Sequence, residues 1–103
     1  MSVGNDEIAF VHELFQDLGP LTHRKMMGGA SFYRDGQIFA ILSSEGVIYL
    51  KASGAMADRL AQAGAKKFEM DDGRGMNYWT LPDAALDDPD AACDWARAAL
   101  AAL

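Results

Sequence analysis

The sequence predicts an α+β domain: an antiparallel sheet of about six strands, with helices at the N-terminus, in the middle and at the C-terminus, in the order α-β4-α-β2-α. Three observations predict it. The stretch 24–52 alternates short β-rich runs with the turn signals Asp35-Gly36 and Ser44-Glu45-Gly46. A second hairpin pattern spans 67–80 around the loop Asp71-Asp72-Gly73-Arg74-Gly75. Outside these runs, the first and last segments carry apolar residues at helical spacing, and a middle segment is bounded by helix start and stop signals. Neighbouring antiparallel strands interrupted by helices distinguish this class from a doubly wound parallel sheet.

Residues 5–18 are expected to form the first helix, with Asn5 as cap, Asp6 and Glu7 at its positive end, and Gly19-Pro20 as its stop. Ile8, Val11, Phe15 and Leu18 form one apolar stripe, with His12 at its rim. A short strand follows at 22–27, and Gly28-Gly29 allows a sharp bend or a close backbone approach. Strands at 30–34 and 37–43 are joined by Asp35-Gly36, which suits a two-residue type I′ turn. That turn sets Arg34 against Gln37, Tyr33 against Ile38 and Phe32 against Phe39. One face then shows Phe32, Phe39 and Ile41, and the other Tyr33, Ile38, Ala40 and Leu42. Residues 38–42 are apolar on both faces, so the second face is expected to be covered by the chain itself or by a partner. Next come a strand at 47–51 and a helix at 54–63, capped by Ser53 and ended by Gly64. The hairpin pairs 67–70 with 76–80. Asp88 as cap and Pro89 at the first helical position start the last helix, which runs to about residue 102. Its apolar face is Ala92, Trp95, Ala96, Ala99, Leu100 and Leu103.

The 103 residues fit one domain, 1–103, and half of them are hydrophobic, enough for a core without a disulfide or metal staple. A lone Cys93 cannot form an internal disulfide and nothing resembles a signal peptide, so the cytoplasm is the expected compartment. No apolar run approaches the roughly 20 residues that span a bilayer. Nine basic residues against 15 acidic give a net charge of −6, with neither half of the chain basic. Direct nucleic-acid binding is therefore disfavoured.

Catalytic and metal chemistry find little to work with. His12 and His23 lie on different elements and Cys93 is distant in sequence, so no four-ligand zinc site can be assembled from thiol and imidazole. The acidic loop at 71–74 lacks the alternating oxygens of a calcium loop and contains a cation. Ser53 lacks a nucleophile elbow. Cys93 has Asp90 and Asp94 as neighbours, which disfavour a thiolate, so an inert thiol is expected. Gly28-Gly29 leads into a strand rather than a helix, unlike a phosphate cradle. Arg24 faces away from His23 and Lys25, so that basic triplet cannot form one patch and reads as edge-strand protection. Tyr78, Trp79 and Trp95 are expected mainly as core between the hairpin and the last helix.

Arg24-Lys25-Met26-Met27-Gly28-Gly29, then Asp35-Gly36-Gln37-Ile38-Phe39-Ala40, then Tyr49-Leu50-Lys51, occur in an order that resembles the N-terminal domain of the TfoX/Sxy family, named for regulators of bacterial natural competence. Met76-Asn77-Tyr78-Trp79-Thr80-Leu81-Pro82 and the alanine-rich last helix fit the same layout, and the resemblance covers residues 8–102. Met27 departs from the phenylalanine common in the family. The resemblance implies a two-layer fold similar to type III secretion chaperones and an association with transcriptional control. It implies no active site, and it points to a single-domain member lacking the helical second domain of the longer regulators. The expected function is a non-enzymatic regulatory or adaptor domain, without cofactor or metal, that works through a protein partner or a homodimer. Its partner surface is expected to draw on Tyr33, Ile38, Arg74 and Trp79. A small-molecule-binding or enzymatic domain with a pocket near Trp79 and Trp95 is the alternative, and direct DNA binding a second.

Overall fold

A computed structural model of the protein describes residues 3–26, 28–69 and 75–103. Helix α1 (Asn5–Leu14) and a 3-10 turn (Gln16–Leu18) lead into strands β1 (Leu21–Met26), β2 (Gly29–Arg34), β3 (Gln37–Leu42) and β4 (Ile48–Lys51). Helix α2 (Gly54–Gln62), strands β5 (Lys67–Glu69) and β6 (Gly75–Thr80), a second 3-10 turn (Asp83–Ala85) and helix α3 (Pro89–Ala101) complete the chain. The strands form one antiparallel sheet in the order β1-β2-β3-β4-β6-β5. The α+β class and the expected element order hold.

All three helices bury their apolar stripes in one core on one side of this sheet. Ile8, Val11 and Leu14 from α1, Met56 and Leu60 from α2, and Ala92, Cys93, Ala96 and Ala99 from α3 pack with Phe32, Phe39, Leu42, Ile48 and Leu50. Each large side chain removed from water there contributes about 1.5–3 kcal/mol before chain entropy is subtracted. The small residues of α3 let its backbone approach α1, β3 and β4 closely. Cys93 is buried, and burial pushes its thiol pKa up, in keeping with an inert thiol.

Several local expectations need correction. Asn5 is not a cap: Gly4 holds that position in extended backbone, and the Asn5 side chain instead accepts a hydrogen bond from Lys25 Nζ at 2.9 Å. The helix expected over 5–18 ends at Leu14, and its last turn tightens into the 3-10 turn before Gly19 at φ 98°. Ser53 occupies its cap position but its side chain accepts no capping hydrogen bond. Leu103, assigned to the buried face of α3, is exposed beyond the helix end.

The hairpin of β2 and β3 carries the most consequential difference. Asp35 and Gly36 both adopt positive φ, 52° and 81°, as a type I′ turn requires. Arg34↔Gln37 and Tyr33↔Ile38 then pair as expected, but Phe32 pairs with Ala40, not Phe39. A β-bulge leaves Phe39 unmatched, and its ring turns inward, edge-on to Phe15 at 5.6 Å. Beyond the bulge every side chain changes face. Ala40 and Leu42 join Phe32 and Phe39 in the core, while Ile41 moves to the side of Tyr33 and Ile38.

Candidate protein-docking face

None of the described helices lies on the second face of the sheet. Strand alternation and register place Ser31, Tyr33, Ile38, Ile41, Tyr49, Phe68 and Tyr78 there. None of the large side chains among them joins the core on the helix side. Their burial is partial: Tyr33, Ile38, Ile41, Tyr49 and Phe68 are all half-buried. Tyr49 and Phe68 pack edge to face with centroids 4.9 Å apart, bridging the far strands.

Near the β2 end the face is more tightly organised. Ser31 is fully buried, and its Oγ donates to the Tyr33 phenol oxygen at 3.1 Å, with the Arg24 carbonyl 3.5 Å away. Tyr78, on the same face, is only 8% exposed. Burial pushes the Tyr78 phenol pKa up, and the neighbouring Tyr33 adds to the shift. Tyr49 is raised too, by burial first and then by the Glu45 carboxylate. These phenols stay neutral at physiological pH and offer apolar rings with a polar tip, a combination suited to interfaces that are built and released. The charged side chains that the strand register places on this face, among the residues whose side chains are described, are Arg24 and Lys51, both cationic, with the Glu45 carboxylate at its edge near Tyr49.

Of the residues expected to form a partner surface, Tyr33 and Ile38 do share this face. Arg74 lies outside the described residues. Trp79 belongs to the opposite face, half-buried against the core, because the pleat sends Tyr78 and Trp79 to opposite sides of β6. The expected cluster of Tyr78, Trp79 and Trp95 is therefore divided, and Trp95 instead lies beneath the Arg59 guanidinium, 5.6 Å from its ring centroid. Ile41, Tyr49 and Phe68 belong to this face in addition to the residues the sequence points to. The bulge hid Ile41. The alternation of Ile48-Tyr49-Leu50-Lys51 was a signal that would have found Tyr49.

A depression of about 300 Å³ lies on the helix side, lined by Asp17, Leu18, Arg34, Arg97, Leu100 and Ala101, and neither Trp79 nor Trp95 borders it. Its two guanidinium groups are anchored to backbone: Arg34 Nε donates to the Leu18 carbonyl at 2.8 Å, and Arg97 to that of Asp17 at 3.2 Å. Among the described residues no three His, Cys, Asp or Glu side chains gather as a metal centre. No described helix is long and apolar enough to cross a membrane.

Comparison with known proteins gives one family: the model of the TfoX N-terminal domain matches residues 13–103. A search of curated proteins finds no match to the chain.

Proposed function

The chain belongs to the TfoX N-terminal domain family, and from that membership we propose that it is a competence-regulator-like adaptor that acts through protein contacts rather than catalysis. The observation that carries this reading is the helix-free face bearing Tyr33, Ile38, Ile41, Tyr49, Phe68 and Tyr78. An aromatic and aliphatic surface of this kind exposes area that a second polypeptide can remove from water. Tyrosine-rich surfaces also lose little side-chain entropy on binding, because each ring has only two rotatable bonds to order.

Charge favours a different protein over a second copy. A two-fold dimer through this face would bring both copies of Arg24 and Lys51 into one interface, where like charges repel. A partner with an apolar centre and an acidic rim would meet the same cations favourably. The affinity of such a complex falls moderately with salt, since only rim charges are screened.

The test is affinity capture from native cells with the unaltered chain and with a Tyr33→Ser, Ile38→Ser variant whose folding is verified by its thermal melt. A partner retained by the first and lost by the second supports the reading. A partner set unchanged by the double substitution sinks it, and sedimentation of the purified chain as a dimer that the variant abolishes would replace the adaptor with self-association. Transcript levels in a strain carrying the variant then report whether the docking face serves gene control.

A further inference from the structure

His12 on α1 and His23 on β1, eleven residues apart, meet across the seam between helix and edge strand, with Nε2 of His12 2.8 Å from Nδ1 of His23. Their rings stand edge to face at 4.9 Å, and both rest on Phe32, at 5.4 Å and 6.0 Å between centroids. Phe32 is fully buried, so the pair has a rigid floor. His23 is exposed and His12 half-buried, so the other side of the pair opens to solvent.

We propose that His12 and His23 form a chelating pair for a divalent transition-metal ion, Cu(II) foremost. The meeting of two imidazole nitrogens at one solvent-open spot carries the proposal: the 2.8 Å between them is the length of a hydrogen bond, which brings both rings within reach of one ion such as Cu(II) or Ni(II). Imidazole suits these ions, and Cu(II) heads the affinity order for nitrogen sites.

The protonation chemistry is compatible. In the hydrogen-bonded pair one nitrogen carries the bridging hydrogen. On metal binding that hydrogen moves to the outer nitrogen of its own ring, both imidazoles stay neutral, and the rings rotate so that the two lone pairs, which face each other in the hydrogen bond, converge on one ion. Of the nearby cations, Lys25 is tethered to Asn5 Oδ1 and Arg24 projects from the opposite face. No third His, Cys, Asp or Glu among the described residues completes a cluster, so water fills the remaining positions and binding is of moderate strength.

Calorimetric titration of the full chain with Cu(II), Ni(II) and Zn(II) salts at about pH 7.5 tests the proposal. The expected result is one Cu(II) per chain with a dissociation constant on the order of 10 μM, Ni(II) weaker, and a higher melting temperature in excess metal. His12→Ala and His23→Ala should each weaken Cu(II) binding at least roughly tenfold. Both side chains lie outside the main core, and an unchanged circular-dichroism spectrum verifies folding of each variant. Equal Cu(II) affinity in the His12→Ala, His23→Ala double variant would overturn the proposal. So would the absence of saturable binding below about 100 μM, or tighter binding of zinc than of copper.

Discussion

Gly29 has no room for a methyl group: a Cβ built there would overlap the Leu42 carbonyl oxygen across the β2–β3 ladder. Gly29→Ala must therefore push two paired strands apart, and is expected to cost about 2–3 kcal/mol in a denaturant melt. The close approach was legible from Gly28-Gly29; its partner strand was not. His12 makes a second residue-level prediction. Its pKa is depressed in the folded protein, by burial first and then by His23, while in the unfolded chain it returns to about 6.5. Above that value both states are neutral and the His12 contribution is fully present. As pH falls below it the unfolded chain takes up a proton that the folded chain resists, so stability falls. In metal-free buffer the unfolding midpoint should drop between about pH 7.5 and pH 5.5, and drop less in His12→Asn.

At the scale of elements, helix α3 has the best-defined start in the chain. The Asp88 carboxylate accepts from the backbone N–H groups of Asp90 and Ala91, and Pro89 occupies the first helical position, where no N–H is needed. Asp88→Ala should cost about 1 kcal/mol, read as a lower thermal midpoint, whereas Asp88→Asn should cost less. This cap was legible because aspartate followed by proline has one helical use. Asn5 was not, because its choice between capping α1 and accepting from Lys25 depends on a strand twenty residues away. The same contrast governs the second face of the sheet. Asp35-Gly36 announced its turn and so the pairing of Tyr33 with Ile38, but nothing local in Gln-Ile-Phe-Ala-Ile-Leu reveals a bulge at Phe39. That choice is made by Phe15, a residue of the first helix whose ring Phe39 meets. The meeting of His12 with His23 is also a product of packing, and no spacing rule predicts it.

For the whole molecule, the core and the aromatic second face are separated by the thickness of one sheet, and substitutions should divide accordingly. Phe39→Ala removes a fully buried ring and is expected to cost about 3–5 kcal/mol in an unfolding titration. Tyr33→Ser with Ile38→Ser strips two half-buried side chains from the other side and should cost markedly less, while abolishing partner capture. The unmatched residue in β3 also sets how this protein can tolerate genetic change. Losing the codon for Phe39 would straighten the strand and restore simple one-to-one pairing, yet would leave the core one aromatic ring short against Phe15. Inserting a codon beside it would turn the inside out, presenting Leu42 to solvent and burying Ile41. Length, more than chemistry, is what evolution must conserve at this spot, and one-residue indels there should yield insoluble protein where conservative replacements still yield folded chains.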